Sequence, residues 1–361
     1  MIIHKQINSI ALLLILFWTT GCSSAITRQP GLPPTAHPTP TVLKEQPTQT
    51  QMPISRLQIT YVQKTSDGFD GIYAIDVTCK TDIKLCLSDP KLLFQMFPSS
   101  SSDNTKPTGS ISSYDWSPDG NKIALAANND IFIGDMNTQT WINITNSAEI
   151  EEYRPKWSSD GKYIYYLSCS HELGYGYCRL ARVTPTGEAK IELLNLIDKS
   201  IDYYSVSPDD RTVLFSISDE GFYHLYQSNL DGSNTRPITT AESKEKYPAL
   251  EETYPLFSPD GKKLVFVRAY YSVDAGTSKK IVDLFIRDIN SGEEKDLTEE
   301  LGDEAFSPVF SPDGKWILFN AYDTNLNSNI MVVSIDEGVI IDATQGIIDK
   351  GAPSWRLVRN Q

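Results

Sequence analysis

Histidine is the scarcest chemistry-bearing residue in this chain: there are four among 361 residues, and His4 and His37 both fall near the N-terminus. A site built on imidazole has only His171 and His224 left to use. His224 sits between apolar residues in a strand-like run, Phe222-Tyr-His-Leu-Tyr, and reads as a core histidine. The spacings that mark common catalytic sites are also missing: no G-x-S-x-G elbow, no second histidine after His171-Glu172, no Walker loop and no dinucleotide fingerprint. Basic residues are in deficit, with 32 Lys and Arg against 46 Asp and Glu and a formal net charge of −14. That balance repels nucleic-acid phosphates and provides no polybasic patch for anionic lipid. The longest early apolar stretch, Ala11 to Trp18, is too short for a bilayer span of about 20 residues. Neither cysteine pair is C-x-x-C, so a metal site is not expected, and no residue pattern implies a cofactor.

What the chain does have is repetition. An S-x-D-G turn recurs as Ser117-Pro-Asp-Gly120, Ser158-Ser-Asp-Gly161, Ser207-Pro-Asp-Asp210, Ser258-Pro-Asp-Gly261 and Ser311-Pro-Asp-Gly314, at steps of 41, 49, 51 and 53 residues. Pro sets φ at the first corner, Asp can bond its own backbone, and Gly takes the left-handed position. Asp210 enters that region more readily than most residues. These serines and aspartates read as structural. Each turn follows a large apolar residue (Trp116, Trp157, Val206, Phe257, Phe310) and precedes a run with little polar alternation, such as Tyr163-Ile-Tyr-Tyr-Leu or Trp316-Ile-Leu-Phe. Runs of that kind suit strands buried on both faces. A further strand follows each, and then an outer phrase bearing Thr: Asn143-Ile-Thr, Pro237-Ile-Thr, Asp296-Leu-Thr and Asp342-Ala-Thr. All-β units at this period predict a propeller, one repeat per blade.

The two ends of the repeat region complete each other. From residue 55, Leu57-Gln-Ile-Thr-Tyr-Val and Gly71-Ile-Tyr-Ala-Ile-Asp look like second and third strands lacking a first. Ala352-Pro-Ser-Trp355 matches the innermost-strand phrase Arg154-Pro-Lys-Trp157, with no further blade behind it. The expectation is therefore an all-β fold, a six-bladed β-propeller over residues 55–357, with the C-terminal strand closing the first blade. The turn and the apolar strand behind it resemble the blades of the TolB-like propeller family. That resemblance implies the propeller fold over this range. The expectation is the propeller alone, without the small α/β domain that TolB proper resembles or the α/β-hydrolase domain of peptidases with similar blades.

Residues 1–21 read as a bacterial lipoprotein signal peptide, in which Thr19-Thr20-Gly21-Cys22 resembles a lipobox and Cys22 is the expected lipidation site. Residues 22–54 are rich in Pro, Thr and Gln and poor in large apolar side chains, which predicts a disordered tether. The expected location is therefore outside the cytoplasm, anchored by lipid to the cell membrane or envelope. The remaining cysteines fall into local pairs, Cys79 with Cys86 and Cys169 with Cys178, each bracketing a predicted hairpin. Cross-pairing would link different blades, so local disulfides are expected.

One constellation offers a binding site. Glu152, Asp202, Glu252, Glu304 and Asp349 lie just ahead of innermost strands, on the face that carries the outer-to-inner connections. Five carboxylates around one mouth would focus negative potential and suit a cation, an amine or a basic segment. Tyr-rich loops at residues 170–177, 269–280 and 322–327 belong to the same face and suit recognition. Asp67-Gly-Phe-Asp70-Gly reads as a hairpin connection. No residue is assigned as catalytic. The favoured reading is a tethered binding module for an envelope protein or a cationic ligand; the alternative is a propeller enzyme, a polysaccharide lyase or glycoside-active protein using channel carboxylates.

Overall fold

Strands pair antiparallel into six sheets, five of which run in simple order from innermost to outermost strand along the chain. The computed structural model describes residues 54–81, 84–98, 104–147, 149–170, 177–194, 196, 199–219, 222–238, 249–274, 277–325, 327–344 and 351–359. Among them every regular element is a strand. The innermost strands of blades two to six are Ile111–Trp116, Ile150–Trp157, Ile201–Val206, Ala249–Phe257 and Glu304–Phe310. Blade one is assembled from both ends of this region. Its innermost strand, Ser354–Arg359, pairs with Ile54–Lys64, which pairs with Asp70–Lys80, and Leu85–Leu87 and Lys91–Gln95 follow on the outside. The architecture is the expected six-bladed propeller closed by the C-terminal strand.

The S-x-D-G turns work by local hydrogen bonds. In the first, the Ser117 hydroxyl donates to Asp119 Oδ1 at 2.5 Å and accepts the Lys122 N–H at 2.9 Å, while Asp119 Oδ1 also accepts the Asn121 N–H. The same serine-to-aspartate bond recurs at Ser158, Ser207, Ser258 and Ser311, between 2.6 and 2.8 Å. Asp210 adopts a φ of 55° in the glycine position. Both side chains are thus occupied in holding the turn, as the sequence reading expects.

The outer Thr phrase has a function too. The hydroxyls of Thr145, Thr298 and Thr344 accept the N–H groups of Ile131, Leu284 and Ile330 on the neighbouring third strand. Each therefore satisfies a ladder donor where the outer strand ends.

Six hydrophobic clusters form among the described residues, one at each junction between neighbouring blades. This explains why second strands such as Trp316–Tyr322 read apolar at nearly every position: both faces are covered. At the closure, Ile59 lies opposite Trp355, whose ring packs with Tyr61, Trp316 and Leu318 and whose Nε1 donates to the Val309 carbonyl. Arg356 crosses to blade two, stacking over Trp116 at 4.3 Å and donating to the Gly120 carbonyl at 2.9 Å.

Both local disulfides are present. Cys79 and Cys86 are register partners on blade one, and Cys169 and Cys178 are register partners on blade three. The Asp67–Asp70 segment is a hairpin connection. Asp70 is fully buried, pairs with Lys64 at 2.9 Å and accepts the Ile111 N–H of blade two, so it joins two blades. His224 lies opposite Ile217 and is partly exposed, which corrects the core assignment.

Candidate binding site at the channel mouth

The acidic ring does not assemble as the sequence reading expects. Glu152 is 1% exposed and turns into the junction with blade two, accepting from Lys190 Nζ at 2.8 Å and from the Ser147 hydroxyl at 2.9 Å. Glu252 is 3% exposed and takes two bonds from Arg268, at 2.9 and 2.6 Å. Arg268 also bonds Glu294, which in turn accepts from Arg287, so a buried ionic chain crosses blade five. Glu304 lines a separate cavity of about 210 Å³ with Lys280, Asp283 and Tyr322, between blades five and six. Asp202 is half-buried near Arg154; burial pushes its carboxyl above the usual range, against the opposing pull of that guanidinium. Asp349 and Cys22 lie outside the described residues, as does most of the loop at 170–177.

The physical reason is strand parity. Relative to the large apolar residue before each turn, Glu152 and Glu252 stand five positions upstream, Asp202 four, and Glu304 and Asp349 six. Side chains alternate sides along a strand, so a one-residue difference sends them to different neighbours.

A different ring surrounds the channel, always three positions before that apolar residue: Ser113, Arg154, Tyr203, Tyr254, Ser307 and Ala352. Arg154, Tyr254, Ser307 and Ala352 have φ between 52° and 56°, and a proline follows each. Register slips across three of these positions, between 153 and 156, 253 and 256, and 306 and 309. Such bulges re-aim a side chain out of its ladder. The prolines fit because the innermost strand turns its free edge to the channel, where no ladder N–H is needed.

These residues enclose a cavity of about 150 Å³. A waist of Lys156, Tyr204, Leu256 and Val309 separates it from a second cavity, of about 330 Å³, on the side of the S-x-D-G turns. At the waist Lys156 is paired with Asp115 at 3.1 Å. On the loop side the mouth continues into a groove of about 440 Å³ between blades two and three, lined by Ser110, Ser112, Asn128, Asn129 and Glu151.

Arg154 stands where mouth and groove meet. Its guanidinium lies 3.9 Å above the Tyr203 ring and 5.7 Å from Tyr254, and these two rings contact each other at 3.8 Å. The aromatic arc runs on through Phe306 to Tyr322, at 6.3 and 5.8 Å. The Arg154 backbone is clamped on both sides: its N–H donates to Ser113 Oγ at 2.9 Å and its carbonyl accepts the Tyr204 hydroxyl at 2.7 Å. Its Nε is buried and has no hydrogen-bond acceptor among the described residues. Sequence reasoning missed this residue, although the spacing of three from each repeat's apolar residue was there to find it. Among the described residues, no group of three or more His, Cys, Asp or Glu side chains is placed to hold a metal ion.

No protein-family model matches the chain. An uncharacterized protein of Agrobacterium fabrum is 30% identical over 175 residues, which is 47% of this chain and 50% of that protein. Dipeptidyl-peptidase 5 of Porphyromonas gingivalis is 26% identical over 150 residues, 38% of this chain and 22% of the peptidase. The matches thus span half or less of these curated relatives. Among solved structures, TolB from Acinetobacter baumannii superposes with a TM-score of 0.59 at 21% identity, covering 85% of this chain and 68% of that one. What the superposition shows is a shared fold, the all-β propeller.

Proposed function

We propose that this protein is a non-enzymatic binding module of the cell envelope, whose partner docks at the loop-side mouth of the propeller channel. The observation that supports this most is Arg154, held rigidly on an aromatic shelf with a buried donor left unmatched. Buried donors are nearly always satisfied, so an unmatched one at a cavity mouth favours a ligand that supplies the acceptor. The Tyr-rich surround offers contact area at low entropic cost. Two intrachain disulfides suit an oxidising compartment outside the cytoplasm. Lipid on Cys22, with residues 23–54 as a spacer, would hold the propeller at a membrane.

Site-specific photocrosslinking in the native envelope tests the docking face. A photoreactive residue at Ser112 or Ser307, on the mouth, should trap one dominant partner, and the same residue at Asp260, on the turn face, should not. Identical products from both faces, or none from the mouth, would remove the assignment. For the tether, Cys22→Ser should release the protein from the membrane fraction and abolish palmitate labelling. Membrane-bound Cys22→Ser protein of unchanged size would show that the anchor is not a lipid.

A further inference from the structure

We infer that the mouth is a carboxylate site, with Arg154 as the group that grips the anion. This rests on the mouth being the docking face and names the chemistry of what docks there. Tyr203 covers the guanidinium at 3.9 Å, and the buried Nε–H is left for a ligand to meet. Among the described residues Nε has no acceptor and Arg154 forms no ion pair, although Asp202 is close enough to feel its charge. A planar carboxylate matches the guanidinium fork with two parallel hydrogen bonds. The pairing around it sharpens the assignment: Lys156, at the waist of the channel, is already neutralised by Asp115, and Lys190 and Arg268 are spent on Glu152 and Glu252. Arg154 is left as the mouth's unpaired cation among the described residues.

The surroundings select the charge of the ligand. Asp202 and Glu151 stand close by, so a doubly charged phosphate would meet repulsion that a singly charged carboxylate largely avoids. Ser110, Ser112, Asn128 and Asn129 in the adjoining groove supply hydroxyl and amide groups for the polar chain that carries the carboxylate. The expectation of a cationic ligand, drawn from counting acidic residues, is thereby reversed.

The Nε–H signal of Arg154 reports on this directly. In the full chain labelled with ¹⁵N-arginine, the signal is identified as the one lost in Arg154→Lys. Lysine keeps the backbone bonds to Ser113 and Tyr204 but replaces the fork with a point charge. Acetate should shift the signal saturably. So should an acetylated Gly-Glu-Gly amide, whose carboxylate is on a side chain, or an acetylated Gly-Gly with a free terminal carboxylate; whichever shifts it at lower concentration tells which source the site takes. The glutamine analogue of the first peptide should do nothing, and Arg154→Lys should weaken the better peptide by roughly tenfold or more. No saturable shift with acetate, an equal shift with the glutamine peptide, or a stronger shift with inorganic phosphate each overturns the assignment. Failure of the two readings is separable. A partner still trapped at Ser307 in Arg154→Lys with unchanged yield leaves the docking face standing and removes the carboxylate; a saturable carboxylate shift with no partner trapped at the mouth does the reverse.

Discussion

A single amide-for-acid difference separates two otherwise equivalent positions in blades two and five. In blade two, Asn143 Nδ2 donates to Asp130 at 2.8 Å, and Thr145 completes the cluster. In blade five the asparagine's place is taken by Asp296, which faces Asp283; Thr298 and Tyr270 donate to Asp283, and the Thr298 N–H donates to Asp296. Burial first, and then the charge of Asp283, push the Asp296 carboxyl up to about 7. Because its folded value lies above its unfolded value, its favourable contribution is complete below about pH 4 and is lost as pH rises towards 7. Asp296→Asn should restore the blade-two arrangement. We expect urea unfolding to show the variant more stable at pH 8, by about 1–2 kcal/mol after allowance for solvent screening, with the gain shrinking towards pH 4. A gain that does not change with pH would place the effect elsewhere than in this carboxyl pair.

At the scale of the element, the S-x-D-G turn is a reusable lock. Its aspartates are held below the usual carboxylate range, Asp160 at about 2 through Lys162 and backbone donors, and Asp209 and Asp260 chiefly through their serine hydroxyls. A depressed folded value contributes stability above the unfolded value of about 4, and that contribution is lost as pH falls towards 2. Acid unfolding followed by circular dichroism should therefore begin below pH 4. Ser258→Ala should remove both the Asp260 bond and the acceptor for the Lys263 N–H, costing about 1 kcal/mol. It should also narrow the acid-dependent part of the transition; an unchanged acid limb would mean the turns do not set it. The turn is legible from sequence because all its partners lie within five residues of one another.

Closure belongs to the whole molecule. Trp355 is 6% exposed between blades one and six, and Trp316 beside it is fully buried. Trp355→Ala should cost about 3–5 kcal/mol and lower the melting temperature of the entire ring, since every blade depends on two neighbours. Gly120→Ala should harm the other junction of the closing strand, between blades one and two, because a methyl there would strike the Leu357 carbonyl and the residue already sits at a φ of 71°. A calorimetric trace for Trp355→Ala with one early-melting shoulder and an unshifted main transition would show that the blades do not share one cooperative unit.

Blade number, turn chemistry, ring closure and the two disulfides were determined by the sequence alone. Each rests on short-range or periodic chemistry: serine and aspartate two residues apart, an apolar residue ahead of each turn, the unmatched phrase around Trp355, and cysteines seven and nine residues apart. The binding mouth was decided by tertiary structure. Glu252 finds Arg268 from 16 residues away on the adjacent second strand and Glu152 finds Lys190 from 38, beside the outermost strand, and both pairs exist only because the sheets bring these segments together. Bulges in the innermost strands then shift the side-chain alternation by one residue, turning Arg154 and Tyr254 to the channel while Glu152 and Glu252 face the blades. Charge can be counted in a sequence, but which way a charge points depends on that one-residue step.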